Sequence, residues 1–293
     1  MNSLGYGLVI IHFRDQASVS RLLRSTQSWT NPPERIVVVD NSGDLSLGHF
    51  DDHPQFEEVV LGDNPGYGAA ANAGLLRLEA AGLERALVCT QDASLDTDAA
   101  RIMVAVMATG ARVAAVAPVL EFSSDSTILF SAGGRLDQRG RATHPGQGRR
   151  RLAASPQAPY DVDWADGAIL LLSINAVREV GFFDEAYFLY VEEVDLLFRL
   201  RKRGSRVVVA PQAVGRQEPG NYVPYLRFRN HVYFTRKFAD ELRPWPWLRV
   251  LLQDWIGSFF GRSRFDFKGS IAGIRDGAAG RMGPPRGWVG RKN

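Results

Sequence analysis

Arg35-Ile-Val-Val-Val-Asp40-Asn41, then Asn64-Pro-Gly-Tyr-Gly-Ala-Ala-Ala-Asn-Ala-Gly74, then Ala86-Leu-Val-Cys-Thr90-Gln-Asp92 follow one another as strand, glycine-opened helix and strand. Outward from them, apolar or β-branched runs at Gly7–Phe13, Glu57–Leu61 and Arg112–Pro118 alternate with helix-length segments at Gln16–Trp29, Gly68–Ala81 and Asp96–Thr109. This alternation predicts βαβ units, an α/β fold with a mostly parallel sheet between two helical layers. Ligands of such sheets gather beyond the carboxyl ends of the strands, which singles out His12–Arg14, Asp40–Asn41, Asp63–Gly68 and Thr90–Ala93.

The remaining chain breaks that rhythm. Ser131–Tyr160 is rich in Gly, Pro and Arg, with Arg149-Arg150-Arg151 as a basic run, and reads as a long surface loop of the kind that binds or covers ligands. Ala168–Ser173, Asn175–Val180, Glu192–Arg203 and Arg206–Ala210 follow, the third being a helix that Gly204 stops. Two helices rich in Tyr, Phe, Trp and Arg are predicted from Tyr222 onward. Leu248, Leu251, Leu252, Trp255 and Phe259 share a face of the second, and such a stripe serves core packing or peripheral membrane contact.

The composition is that of a soluble globular protein, with 45% hydrophobic and 23% charged residues and a mean hydropathy of -0.15. Charge-free stretches such as Gly167–Val177 and Asn64–Leu76 are far too short for a spanning helix, and the N-terminus lacks a leader pattern. A cytoplasmic protein is expected, with contact at the inner face of a membrane as an option. One cysteine, Cys89, excludes an internal disulfide. The net charge of +3 is unevenly spread, since residues 261–293 hold eight Lys and Arg against Asp266 and Asp276. With eight glycines that tail is expected to be loosely ordered, and to touch an anionic lipid or acceptor rather than nucleic acid.

Three clusters offer chemistry. The Asn64–Gly74 segment lets backbone approach a phosphate or ribose. Its Gly66-x-Gly68-x-x-Ala71 pattern also fits a dinucleotide fingerprint, although Gly62–Pro65 separates it from its strand and it is the third unit of the sheet rather than the first. Asp40–Asn41 can accept hydrogen bonds from a base or ribose, or merely shape a turn, and Asp92 can hold a divalent cation or cap the next helix. Glu192, Glu193 and Asp195 crowd the first turn of a helix, where they serve the helix dipole or supply a general base.

Together these pieces resemble the family-2 glycosyltransferases, inverting enzymes of the GT-A type, especially the rhamnosyltransferase-like and galactofuranosyltransferase-like members. The resemblance runs from about residue 6 to about residue 235. It rests on Val37-Val-Val-Asp40-Asn41, on Asn64-x-Gly66-x-Gly68-x-x-x-Asn72-x-Gly74, on Thr90-Gln91-Asp92-Ala93, and on Gly181-Phe-Phe-Asp184-Glu185 leading into Tyr190-x-Glu192-Glu193-x-Asp195-Leu. It implies a three-layer sandwich with C-terminal helices: residues 1–220 as the transferase domain (donor half about 1–120, acceptor half about 121–220), 221–260 as helices and 261–293 as a basic glycine-rich tail.

The resemblance further implies a nucleotide-sugar donor, such as dTDP-rhamnose or a UDP-sugar, held by His12, Arg14, Asp40, Asn41, Asn64, Gly66, Gly68, Asn72, Gln91 and Asp92. A glycan, lipid-linked or small-molecule acceptor would meet Trp164, Asp166, Gly167 and the Arg-rich loop. In that family the residue at Asp40 contacts the base, the residue at Asp92 belongs to a metal motif, and an acid of the last cluster is the catalytic base. Glu193 is the first choice, with Glu192 and Asp195 as alternatives. Thr90 stands where some relatives carry a first metal-binding Asp and Gln217 where relatives often carry a metal-binding His, so Mg or Mn is expected to bind weakly. A binding protein that keeps the fold without the catalysis, or an NAD-dependent oxidoreductase, are the rival readings. The oligomeric state is left open.

Overall fold

The computed structural model describes residues 5–46, 56–110, 112–151, 156–218, 220, 223–244, 246–259 and 266–285. Its centre is one ten-stranded sheet. The strands are β1 (Gly7–His12), β2 (Arg35–Asp40), β3 (Phe56–Val60), β4 (Arg85–Thr90), β5 (Ser94–Leu95), β6 (Val113–Phe122) and β7 (Leu129–Ser131), then β10 (Tyr160–Asp161), β11 (Ile169–Ser173) and β12 (Arg206–Gln217). A separate small hairpin joins β8 (Arg135–Leu136) to β9 (Ala142–Thr143). The sheet order is β10-β12-β6-β11-β4-β1-β2-β3, with β5 beside β12 and β7 beside β6.

Six strands run the same way, β3, β2, β1, β4, β6 and β12, while β11 lies antiparallel between β4 and β6. The sequence shows Ile169–Ser173 as a strand but not its direction, because a run buried on both faces has no direction-dependent pattern. β6 continues past Pro118 because β12 bulges between Ala210 and Val214, and pairing resumes beyond the bulge.

Alternation along the strands separates two cores. Leu8 and Ile10 of β1 face α1 (Gln16–Thr26) and α3 (Ala99–Thr109), where they meet Leu22, Leu23 and Met103. Val9 and Ile11 face α2 (Tyr67–Ala80) and α5 (Glu192–Lys202), where they meet Leu75, Leu78 and Leu197. This is the expected three-layer α/β sandwich. The short α4 (Ile174–Glu179) follows β11.

The C-terminal region departs from expectation. α6 (Pro224–Lys237) carries α7 (Trp247–Phe259) and α8 (Phe267–Ala278). The predicted α7 stripe divides: Leu251 packs with Val250 against Phe228 and Val232, whereas Leu248 is 64%, Leu252 51% and Trp255 45% exposed. The side chain of Phe259 lies outside the described residues. Nor is the basic segment loose throughout. α8 packs closely on α6, and its glycines are the means: a Cβ on Gly273 would stand 2.3 Å from the Tyr225 carbonyl oxygen, and one on Gly277 2.3 Å from that of Arg229. Residues 261–265 and 286–293 lie outside the described residues. No helix among the described residues is long and apolar enough to cross a membrane.

Gly277→Val should therefore push α8 off α6. Overpacking of this kind costs about 1–3 kcal/mol, so the melting temperature should fall by several degrees. An unchanged melting curve would show that the α6–α8 contact is dispensable.

Candidate active site

The parallel strands bring His12, Asp40 and Thr90 to one edge in register, His12 opposite Asp40 and Ile11 opposite Thr90. Most polar atoms of the expected donor residues are, however, turned to the protein. Asp40, 1% exposed, accepts from the Ser42 N–H (2.8 Å), the Gly43 N–H (2.9 Å), the Ser42 hydroxyl (3.0 Å) and the Leu45 N–H (3.0 Å). Burial opposes its ionisation, but these bonds outweigh burial and hold the carboxyl below its usual range. The Gln91 amide pairs with both backbone groups of Phe13 and meets His12 Nδ1 at 2.8 Å, strapping the β4 loop to the β1 loop.

The glycine-rich segment is turned the same way. Gly66, at φ +109°, has no room for a Cβ, which would lie 2.2 Å from the Phe188 carbonyl oxygen. Asn72 donates to the Phe183 carbonyl and Glu185 and accepts from the Phe183 N–H. A Cβ on Gly68 would lie 3.3 Å from that of Phe183. The side chain of Asn72, expected at the nucleotide, is thus engaged by the protein itself. Gly66, Gly68 and Asn72 clamp the 182–188 segment. Arg14 and Asp92 are exposed at this edge. Buried Asn41 donates to the Gly66 carbonyl, but its Oδ1 has no partner. Asn64, at φ +44°, forms the turn before α2.

Asp92, Thr90 and Gln217 come together although 125 residues separate the first from the last in sequence. The pairing of β5 with β12 brings the Asp92 turn beside Gln217. Gln217 Nε2 donates to Asp92 Oδ2 at 3.0 Å, and its Oε1 accepts from the Thr90 hydroxyl at 3.4 Å. One carboxylate and a neutral amide oxygen form a hard-oxygen set that suits a cation completing its shell from a diphosphate. A second group, His12, Asp40 and Asp44, has its ligand atoms within 4.8 Å of one another, but Asp40 is already engaged by four donors.

The acids of α5 have three different fates. Asp195, fully buried, accepts from Arg199, from the Tyr187 hydroxyl at 2.9 Å and from Lys237 at 2.6 Å. It is a structural anchor, which corrects its place among the base candidates. Glu192 is 3% exposed and its Oε2 has no partner; burial pushes its carboxyl up to about 7. Burial, followed by the charges of Glu192 and Asp166, pushes Glu193 well above the carboxylate range. Asp166 is also raised by burial, against the opposing pull of His144, whose Nδ1 lies 3.6 Å from it. His144 rests on Trp164, ring centroids 4.5 Å apart, and the Trp164 indole donates to the Arg135 carbonyl. Gly167 offers its carbonyl to the Tyr67 hydroxyl at 2.6 Å.

The approach to these acids is strained. Phe188, Tyr190 and Val191 have φ of +69°, +72° and +76°, an arrangement bulky and β-branched residues rarely adopt. It is held from two sides. The Asn230 amide donates to the carbonyls of Tyr187, Leu189 and Tyr190, and the buried Arg229 donates to Tyr187 and Gly283. From α2, the Tyr67 N–H donates to the Phe188 carbonyl at 2.8 Å. Tyr67, His144, Arg229 and Asn230 were missed in the sequence. The available signal was Arg229-Asn230 beside Phe228 and Val232, a polar pair on the apolar face of a helix.

The fold that carries this strand edge and these acids is that of the GT-A glycosyltransferases. The chain is similar to the low-salt glycan biosynthesis hexosyltransferase Agl10 of Haloferax volcanii, 22% identical over 95% of this chain and 92% of that protein. It is also similar to an N-acetylglucosaminyl-diphospho-decaprenol L-rhamnosyltransferase of Mycobacterium tuberculosis, 26% identical over 70% of this chain and 73% of that one. Among solved structures, GalNAc-T7 with UDP, GalNAc and Mn2+ shares the fold at a TM-score of 0.62 and 12% identity, over 96% of this chain and 55% of that one. No family model matches the chain.

Glu192 sits among Glu193, Asp166, His144, Tyr67 and Tyr190. Its folded-state pKa is above the unfolded one, so its contribution to stability is full below about pH 4.5 and disappears as pH rises through about 7. Glu192→Gln should escape that loss: the melting temperature of the variant relative to wild type should climb between pH 4.5 and 7. A difference that stays flat across the window would refute the raised carboxyl.

Proposed function

We propose that the protein transfers a sugar from a nucleoside diphosphate to a hydroxyl of a glycan, lipid-linked or small-molecule acceptor, with inversion, and that the donor is dTDP-rhamnose or a UDP-sugar. The observation that carries this reading is the pair Glu192–Glu193: a buried and a half-buried acid whose carboxyls burial pushes up, at the start of a helix whose approach loop is strained. Glu193 accepts the proton of the acceptor hydroxyl while that oxygen attacks the anomeric carbon, and the nucleoside diphosphate leaves from the opposite face. Glu192 raises the basicity of its neighbour. Asp166, Trp164 and Gly167 flank the acceptor, and residues 121–220 serve it as 1–120 serve the donor.

On the donor side, Asp40, His12 and Gln91 fix the loops around the nucleotide, Asn41 Oδ1 is offered to a ribose hydroxyl, and Arg14 faces the diphosphate. Asp92 with the Gln217 amide oxygen would hold Mg or Mn, a cation that supplies neutralisation of the leaving diphosphate. The Mn2+ in GalNAc-T7 supports this reading. Wild-type protein should release nucleoside diphosphate from one member of a donor panel. Glu193→Gln should lower turnover about 10²- to 10⁴-fold at unchanged melting temperature. Asp195→Asn should chiefly destabilise, because breaking a buried pair costs about 3–5 kcal/mol. Donor hydrolysis that Glu193→Gln leaves intact in transfer assays would move the base elsewhere.

The protein works at the cytoplasmic face of a membrane in this proposal. Leu248, Leu252, Trp255 and Ile256 of α7 and Phe267 and Ile271 of α8 are exposed. Residues 243–293 carry ten Lys and Arg against three Asp. Apolar side chains entering the headgroup region beside cations suit an anionic bilayer. Flotation with anionic vesicles should be lost in Leu248→Ser/Leu252→Ser and weakened by salt; a variant that floats as wild type does would remove α7 from the contact.

A further inference from the structure

His12 closes β1 at the strand edge, fully buried, and the partners of its two ring nitrogens fix where its hydrogens are. Gln91 Nε2 donates to the Phe13 carbonyl at 2.9 Å, so the same amide turns its Oε1 to the Phe13 N–H, at 2.8 Å. That oxygen also lies 2.8 Å from His12 Nδ1. An amide oxygen only accepts, so Nδ1 carries a hydrogen. Nε2 points the other way, 3.1 Å from Asp44 Oδ1 and 3.8 Å from Asp40 Oδ1. In a neutral ring with its hydrogen on Nδ1, Nε2 is a lone pair buried against two anionic oxygens, which is unfavourable. A proton on Nε2 turns that repulsion into an ion pair. Asp40 Oδ1 already accepts three hydrogen bonds and so is a poor ligand for a metal in the same place.

The charges around the ring favour that proton. Asp40 comes from β2, Asp44 from the turn after it and Asp15 from the N-cap of α1, whereas the β4 loop meets the ring through the neutral Gln91. Against these acids stands Arg14, exposed at the edge. The Asp44 carboxyl is held below its usual range by the Ser42 hydroxyl first and by His12 after it, and that of Asp15 by Ser18 first, with Arg21 and His12 following.

The contact also has a mechanical meaning. The turn at residues 41–46 gives Asp40 its four hydrogen bonds and is tied to the chain after β1 at three points. Arg14 N–H donates to the Ser42 hydroxyl at 3.0 Å, the Gln16 amide pairs with both backbone groups of Ser46, and His12 meets Asp44. Of these three straps only the last titrates near neutral pH.

We propose that His12, protonated on both ring nitrogens, is a positioning residue for the donor: its imidazolium latches the 41–46 turn onto the edge where the nucleotide lies, and loss of the Nε2 proton releases it. The latch stands on the partners of the ring; its bearing on the donor rests on the transferase reading. A group that takes up its extra proton in the closed form favours closure below its titration and loses that contribution as pH rises through it. Donor binding therefore weakens with rising pH across the histidine range, while the acids of α5 govern turnover at saturating donor.

Nitrogen NMR of the full chain without ligand reads the latch. At about pH 5.5, roughly a unit below the ordinary histidine titration, the His12 ring, assigned by its loss in His12→Gln, should carry hydrogens on both nitrogens. At about pH 8 it should carry one, on Nδ1. Exchange of the Gly43 and Leu45 amide hydrogens, corrected for its intrinsic pH dependence, should quicken over that interval in wild type but not in Asp44→Asn. Calorimetry with UDP-glucose and dTDP-glucose, whose diphosphate esters do not titrate there, reads the donor side. The donor that binds should do so about tenfold more weakly at the upper pH. Asp44→Asn should bind it weakly at both; Asp44 is 55% exposed, so this variant serves should His12→Gln fail to fold. Glu192 titrates alike in both proteins, so the difference belongs to the latch. A ring with a single hydrogen at the lower pH, a hydrogen on Nε2 alone at the upper, or exchange equally pH-dependent in Asp44→Asn would overturn the latch. The same pH dependence of donor affinity in wild type and variant would overturn its bearing on the donor. Failure of both nucleotide sugars to bind at either pH counts against the transferase reading, with the latch still decided by the spectra.

Discussion

The left-handed backbone at Phe188, Tyr190 and Val191 is the constraint on which the acid site depends. Each such residue costs on the order of 1–3 kcal/mol, so the segment persists only where its surroundings over-determine it. They do so through carbonyls: Asn230 takes three with one amide, Arg229 takes Tyr187, and the N-terminus of α2 takes Phe188. Gly66 completes the clamp, because any Cβ there would occupy the Phe188 backbone. The result is that α5 begins abruptly at Glu192, with no side-chain cap on Val191. Its first acids are delivered into a buried space rather than into solvent.

That dependence reaches the far end of the chain. Arg229 is buried because α8 covers it, and α8 can approach only because Gly273 and Gly277 have no side chains. Gly283 then accepts from Arg229 and donates to the Ala186 carbonyl at 2.7 Å, closing the support of the strained loop from behind. A segment whose composition reads as a loose basic tail therefore braces the loop that presents the acids. Composition misleads here for a definite reason: glycine enriches linkers because it is permissive and helix contacts because it is small, and counting does not separate the two.

The same limit governs what was legible elsewhere. Strand and helix positions through β6 could be read from periodicity, since the 2.0 and 3.6 repeats are direct consequences of burial on defined faces. The edge where His12, Asp40 and Thr90 line up followed from the parallel sheet. What a side chain at that edge bonds to was not readable, because it depends on contacts distant in sequence: Gln91 with Phe13, Asn72 with Phe183, Gln217 with Asp92. Asp40 illustrates the point. Its position at a strand end is visible in Val-Val-Val-Asp, but its engagement by the 42–45 turn appears only in the fold. Asp195 is similar, an acid whose partner Arg199 at i+4 was visible, while Lys237 and Tyr187 were not.

Charge distribution then separates the two ends of the site. At the strand edge, four neutral donors hold Asp40 ionised, and Asp92 accepts from the Gln217 amide. At the start of α5, burial raises the carboxyls of Asp166, Glu192 and Glu193, and His144 Nδ1 lies 3.6 Å from Asp166. One buried and two half-buried carboxyls resist ionising together, so their macroscopic titration belongs to the set.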